Sequence, residues 1–312
     1  MDLFDATLRQ NDSSMTQAEL IKAVSQAKIL VPTVTDKIDH SLIEAAGPQL
    51  KLIANFGAGT DHIDIEAAHK RGITVTNTPG VLTEDTADFT MALILAAPRR
   101  LVEGDRRTRA GEFPIWTPTH MLGRRVRGKR LGFIGLGRIG QAVARRAHAF
   151  GLEVHYHTPA PVSPPIEEAL SATYWSDLEA MLPHIDILSI NCPLTPATRH
   201  IINAKRLGLM KSDSYIVNTA RGELIDEGAL VAALETGMIS GAGLDVYEEE
   251  PKVHPKLLAL KNVILSPHIA SATFESRHEM GEKVMINIRA FLDHHRCPDR
   301  VIPRATDFPI AS

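Results

Sequence analysis

The ten residues LGFIGLGRIG, 131–140, constrain this chain more than any other stretch. Gly135, Gly137 and Gly140 fall there between a short apolar run and a segment of helical periodicity. Leu131 to Ile134 reads as a strand. Ile139, Ala142, Val143, Ala147 and Phe150 then recur at the spacing of one helix face, with Gly151 placed to end it. In a strand, glycine turn and helix of this kind, the first glycine permits the tight turn and the second lets the backbone approach a pyrophosphate. The third lets the helix pack close to the strand, so the phosphates meet the helix amino end. The expectation is a dinucleotide site on Gly135, Leu136, Gly137, Arg138, Ile139 and Gly140.

Runs rich in Ile, Val and Leu alternate with helix-length amphipathic segments from about Ala27 to Pro267, the pattern of parallel α/β sheets. The first third offers AKILVP, KLIAN and ITVTN as strands, with helices near 38–46 and 63–71. The middle offers RLGFIG, LEVHYH, ATYW, DILSIN, SYIVN, SGAGLDV and NVILSP, which makes strands enough for two sheets. Between the two series, TADFTMALILAAPRRLVEGDRRTRAGEF reads as a long helical crossing broken at Pro98, and a helix over about 274–294 crosses back. The predicted fold is α/β, with two Rossmann-like or flavodoxin-like parallel-sheet domains and a cleft between them. A substrate domain is expected over 1–97 and 286–312, and a dinucleotide-binding domain over 98–285. TPAPVSPP, at 158–165, reads as a surface loop.

A chain of 312 residues with a formal net charge of −3 is no general polyanion binder, because nucleic-acid affinity rests on neutralising many phosphates together. One region departs from that balance. Pro98 to Arg130 carries nine Arg and one Lys against Glu103, Asp105 and Glu112, a local excess of seven positive charges. It reads either as a solvated helix face with a basic linker or as a field drawing small anions toward a cleft. Cys192 and Cys297 are too few for a disulfide framework, and MDLFDATLRQ lacks the apolar run of a signal peptide. The most apolar stretch, MALILAA, is too short to span a bilayer. A cytoplasmic protein without membrane or nucleic-acid partners is expected, and no metal site is read.

In an NAD site the strand after the glycine turn ends in an acidic residue about 20 positions on, which binds the adenosine ribose hydroxyls and repels a 2′-phosphate. Here LEVHYH ends in His157, Thr158 and Pro159. The block on NADP is missing, and so is the loop Arg that clamps its phosphate, with Arg138 the nearest candidate. The residues leave NADP or NAD open, with a slight lean to NADP. Three later stretches, IVNTARGELID, LDVYEEEP and ILSPHIAS, bring Arg221, Glu250 and His268 to strand ends, where open α/β sheets bind ligands. An Arg there can hold a carboxylate, a His can move a proton near neutral pH, and a carboxylate can orient that His.

With those residues in place, the chain resembles the D-isomer-specific 2-hydroxyacid dehydrogenases, and most of all their glyoxylate and hydroxypyruvate reductases. The matching motifs are NFGAGTDHID, TNTPGVLTEDTAD, GFIGLGRIG, NCPLTPATRH, VNTARGELIDEGAL, GAGLDVYEEEP and LSPHIASAT. The resemblance implies that Arg221 grips the carboxylate of a small 2-oxo acid, His268 protonates its carbonyl oxygen, and Glu250 holds His268 charged. It implies substrate contacts from the Ala58 and Gly59 amides, and a nicotinamide contact from Asp245 with Thr219, Ala220 and Ala270 nearby. Cys192 and Pro193 would line the adenosine, and Thr86 and Thr198 complete the implied cofactor set. A homodimer through the cofactor domain is also implied, with the arm at 100–125 packing on the partner. A D-lactate-type dehydrogenase is the competing reading, and a corepressor-like nucleotide sensor a more distant one.

Relative to that family only ten residues precede NDSSMTQAEL. LFDATLRQ reads as a second strand and its lead-in, so a first strand and helix are expected to be missing, as from a misplaced start codon or a fragment.

Overall fold

The computed structural model describes residues 5–9 and 15–303. Its strands among these are β1 (Ile29–Leu30), β2 (Leu52–Ala54), β3 (Thr74–Thr76), β4 (Arg130–Ile134), β5 (Glu153–His157), β6 (Thr173–Tyr174), β7 (Ile187–Ile190), β8 (Tyr215–Asn218), β9 (Gly241–Leu244), β10 (Val263–Leu265) and β11 (Arg300–Val301). Helices α1 (Gln17–Val24), α2 (His40–Ala45), α3 (Ile65–Lys70), α4 (Thr83–Ala96), α5 (Leu101–Arg109) and α6 (Arg138–Ala149) occupy the first half. Both strand series read from the sequence are present.

The chain divides into two units, 1–81 with 277–312, and 82–276. The first holds a four-stranded sheet in the order β1-β2-β3-β11, parallel except for β11 against β3. Leu20, Val24, Leu42, Ile43 and Ala68, from α1, α2 and α3, bury one face with Ile53 and Val75. Val284 and Ile288 of the helix Phe274–Leu292 cover Leu52 and Ala54 on the other. Asp39 and Asp64 cap α2 and α3 through the Leu42 and Ala67 amides, each cap worth about 1 kcal/mol. Residues 5–9, expected in a strand, carry no regular structure and are exposed; Leu3, Phe4 and Gln10 of the same stretch lie outside the described residues.

The second unit is a seven-stranded parallel sheet in the order β10-β9-β8-β7-β4-β5-β6. Strand order reverses between β4 and β7, which opens a crevice at their carboxyl ends. Leu131 to Ile134 and all of β7 are buried, as interior strands covered on both faces must be. One face packs on α4 and α6 through Met91, Ile94, Val143 and Ala147.

These units differ from the expected boundaries at 97/98 and 285/286. Helix α4 lies within the second unit because Ala87, Met91, Leu93 and Ile94 are buried in the core of the seven-stranded sheet. A Cβ on Gly243 of β9 would meet Leu93 Cβ at 3.0 Å, so strand and helix are in close contact. At the other end, Val284 already belongs to the core of the first unit, and the division falls at Ser276 and Arg277.

Candidate active site

The carboxyl edge of the seven-stranded sheet gathers the expected residues of the second unit. Arg221 follows β8, where the Asn218 side chain donates to the Arg221 carbonyl (2.7 Å) and accepts the Ala220 amide (3.0 Å). Asp245 follows β9, fully buried, and its two carboxylate oxygens accept the Ile269 and Ala270 amides at 2.9 and 2.7 Å. The Asp245 carbonyl also accepts the His268 amide (2.8 Å), so Asp245 anchors the loop that presents His268. His268 sits in the left-handed region at φ 55°, a conformation costly for a side chain with a Cβ, and these three bonds fix it there.

His268 Nδ1 lies 2.8 Å from Glu250 Oε2, while Glu250 Oε1 accepts the Tyr247 amide at 3.0 Å. Burial works to raise the Glu250 pKa, but the His268 hydrogen bond and charge, the Tyr247 amide and the Arg221 charge outweigh it. The carboxyl is held below its ordinary range. With Nδ1 committed, Nε2 is the ring nitrogen left to meet a substrate. The turn carrying Glu250 rests on the turn after Arg221: a Cβ on Gly222 would lie 1.9 Å from the Tyr247 carbonyl carbon and 2.4 Å from the Glu248 nitrogen.

The glycine turn fits a dinucleotide. Gly135 holds φ 91°, and a Cβ there would strike the Cys192 nitrogen of the β7 loop at 2.7 Å. A Cβ on Gly140 would come within 2.7 Å of the Gly135 carbonyl, whereas one on Gly137 would meet nothing within 4 Å. Gly137, at the N-cap of α6 with no side-chain cap, therefore leaves space and unsatisfied first-turn amides for a phosphate. The Leu136 side chain is buried and Ile139 packs on the core, so these two positions would serve through their backbone.

The remaining expected cofactor residues are placed as follows. His157 ends β5, its Nδ1 at 2.9 Å from the Trp175 carbonyl, and the Thr158 hydroxyl donates to the Ala160 carbonyl at 2.6 Å before Pro159. Arg138 is exposed on the first turn of α6. Cys192 is buried, which pushes its thiol up to about 11 and leaves it unreactive. Thr198 closes its own loop by donating to the Pro193 carbonyl (2.7 Å) and accepting the Thr195 amide (2.8 Å). Thr219 shares a hydrogen bond with Thr90 of α4 (2.8 Å), Thr90 donates to the Thr86 carbonyl (2.7 Å), and Ala270 is buried.

Ala58 and Gly59 lie in the first unit. Asn77 donates to the Ala58 carbonyl (2.7 Å), and the buried Asn55 donates to the Gly57 and Gly59 carbonyls (3.0 and 2.9 Å), which shapes a tight turn after β2. Sequence reasoning assigned no role to His200 or Glu248, although both stood inside quoted motifs. His200 Nε2 lies 2.6 Å from Glu248 Oε1. Among the described residues, no cluster of His, Cys, Asp and Glu is arranged to hold a metal ion, and no helix is long and apolar enough to cross a membrane.

A family profile described as D-isomer specific 2-hydroxyacid dehydrogenase, NAD binding domain, matches residues 91–270. The chain is 47% identical to a glyoxylate reductase of Thermococcus litoralis over 292 residues, 92% of this chain and 87% of that one. A glyoxylate reductase structure from Paecilomyes thermophila superposes with a TM-score of 0.83 at 39% identity, covering 91% of this chain and 87% of its own. An NADPH-dependent glyoxylate/hydroxypyruvate reductase from Sinorhizobium meliloti gives 0.80 at 37%, covering 92% and 88%. With the glycine turn, the reversed strand order and the His–Glu pair, these likenesses establish that the chain belongs to the D-isomer-specific 2-hydroxyacid dehydrogenases, a family of NAD(P)-dependent oxidoreductases.

Proposed function

We propose that the chain reduces glyoxylate or hydroxypyruvate to glycolate or D-glycerate with NAD(P)H. The observation that carries this reading is the 2.8 Å pair of His268 and Glu250 on the sheet edge that also bears Arg221. A nicotinamide cofactor held at this sheet edge would supply the reducing equivalent. Arg221 holds the substrate carboxylate through paired charge-assisted hydrogen bonds. His268 gives a proton from Nε2 to the carbonyl oxygen, and the Glu250 carboxylate at Nδ1 orients the ring and balances its charge. Asp245 keeps the His268 loop in place and is assigned to the nicotinamide carboxamide, with Thr219, Ala220 and Ala270 beside it. The amides of Ala58 and Gly59 are assigned to the substrate carboxylate.

The enzyme is further read as a cytoplasmic homodimer whose arm at 100–125 packs on a second copy. Phe113, Ile115 and Trp116 support this, being 70, 85 and 76% exposed on a segment without regular structure. Apolar surface of that kind is costly on a monomer. The basic residues of the same stretch are partly spent locally, with Arg100 on Glu103 (2.8 Å) and Arg109 on Asp105 (2.9 Å).

Initial rates with glyoxylate, hydroxypyruvate and pyruvate, each with NADH and NADPH, test the reading. Turnover of the first two above pyruvate is expected. A preference for pyruvate moves the chain to the D-lactate type, and no turnover with any pair refutes the reading.

A further inference from the structure

The run Glu248-Glu249-Glu250 makes two His–Glu pairs, and only the one through Glu250 has a part in the reaction as described. The other pairs Glu248 Oε1 with His200 Nε2 at 2.6 Å and with Arg199 Nη2 at 3.3 Å. The second Glu248 oxygen accepts the Glu227 amide (3.4 Å), and the Glu248 amide donates to the Glu227 carboxylate (3.1 Å). His200 is tied in turn to the segment after Arg221: its amide donates to the Glu223 carbonyl at 2.8 Å, and Ile202 and Ile225 form a bridge beside it. His200 therefore joins the turn at 222–227, through its backbone amide, to the turn at 247–250, through its imidazole.

His200 reaches Glu248 from φ 50°, in the left-handed region. Backbone held there without a glycine is strained and persists where the surroundings over-determine it. Among the three described histidines held there, His200, His268 and His294, the first two each face one acid of the same run. The acid paired with His200 is two residues from the acid paired with His268, and the peptide between Tyr247 and Glu248 is the one pressed against Gly222. A shift of Glu248 therefore carries the Tyr247 amide and, through it, the Glu250 carboxylate. Arg221 is secured separately by Asn218 of β8.

We propose that His200 and Glu248 form a positioning clamp that keeps the Glu250 turn in register with the turn after Arg221, so that His268 is aimed at the carbonyl of a substrate held by Arg221. The clamp rests on the catalytic roles given above to Arg221, Glu250 and His268. Because it acts on the proton donor and not on the carboxylate grip, its loss lowers kcat and spares KM.

The test is steady-state reduction of glyoxylate by the full chain carrying Glu248→Gln, His200→Ala, His200→Gln or both Glu248→Gln and His200→Ala, with folding followed by circular dichroism. Glu248→Gln and His200→Ala should each lower kcat about tenfold with KM for glyoxylate changed less than about threefold, as expected for misplacement of a reacting group. The double variant should be no slower than the slower single one, and His200→Gln, which keeps a donor for Glu248, should recover most of the loss. Wild-type kcat in folded variants, additive losses, or a rise in KM matching the fall in kcat would overturn the clamp. Unfolding of both Glu248→Gln and His200→Gln would overturn it as well, by assigning the pair to fold stability. His268→Gln run in parallel separates the two levels: wild-type kcat there refutes the catalytic assignment itself, whatever the clamp variants do.

Discussion

His268 Nδ1 and Glu250 Oε2 stand 2.8 Å apart, and the other Glu250 oxygen is taken by the Tyr247 amide, so both carboxylate oxygens favour the ionised form. The Glu250 pKa is accordingly depressed despite its burial. Its contribution to stability is present above the unfolded value, about 4.3, and is lost as pH falls through the lower folded value. Thermal unfolding of wild type and Glu250→Gln between pH 3 and 7 should show a gap in Tm that closes as the solution is made acid below about pH 4. A gap that is constant over this range would contradict the pairing.

The glycines separate packing from ligand space. Gly222→Ala forces a Cβ into the Tyr247–Glu248 peptide, where no side chain can move aside, and should destabilise by about 3 kcal/mol or more. Gly137→Ala meets nothing within 4 Å, so its stability should stay within about 1 kcal/mol of wild type. Its added methyl group occupies the space through which a pyrophosphate approaches the backbone, and NAD(P)H affinity should fall at least about tenfold. Chemical denaturation and cofactor fluorescence titration of both variants check this. Normal affinity in Gly137→Ala would remove the pyrophosphate from that turn.

Arg221 and His268 should fail in different ways. Arg221→Ala removes a charge-assisted grip on the substrate carboxylate, worth about 1.5 to 3 kcal/mol, and should raise KM about 10- to 100-fold. His268→Ala should lower kcat about 10²- to 10⁴-fold, the usual range for a proton donor. Neither should change the cofactor dissociation constant much, and an equal loss of cofactor binding in both would contradict these roles.

The parallel β-strands of both sheets and the glycine turn were legible in the sequence because each is written in a local pattern, whereas the two-residue antiparallel strand β11 was not read. Arg221, Glu250 and His268 were legible as strand-end residues. Their contact was implied by the family resemblance and not by the local pattern, since His268 and Glu250 are brought together by the turn at 247–250 and by the Asp245 bonds to 268–270. The His200–Glu248 pair spans 48 positions and carries no local signal beyond a histidine at the end of NCPLTPATRH. The unit boundary was misplaced at Pro98 because an apolar helix face does not state which sheet it covers. Only the contacts of Met91, Leu93 and Ile94 assign α4 to the larger unit.

On the proposed cofactor site, Thr158 stands where NAD and NADP are distinguished. Its hydroxyl is spent on the Ala160 carbonyl at 2.6 Å, and the adjoining His157 Nδ1 on the Trp175 carbonyl, so the end of β5 offers neither a carboxylate nor a guanidinium to the adenosine ribose. Thr158→Asp supplies an acceptor for the ribose hydroxyls and repels a 2′-phosphate, and should favour NADH over NADPH by about tenfold or more relative to wild type. Thr158→Arg should shift the ratio of dissociation constants the other way. Fluorescence titration with both cofactors reads the ratio directly, and no change in either variant would place the ribose elsewhere.

The arm gives the last test. Ile115 and Trp116 are 85 and 76% exposed, and Phe113 at 70% lies two residues from Ile115, all on a segment without regular structure. A charge placed there costs nothing in a monomer but must be desolvated in a packed interface, at several kcal/mol per buried unpaired ion. Trp116→Asp should therefore leave the circular dichroism spectrum intact while converting a dimer to a monomer in light scattering. Glycine turn, His268 and Glu250 all lie within one chain's second unit, so the monomer should still bind NAD(P)H. A monomeric wild type, or a Trp116→Asp variant that stays dimeric, would take the interface away from this arm.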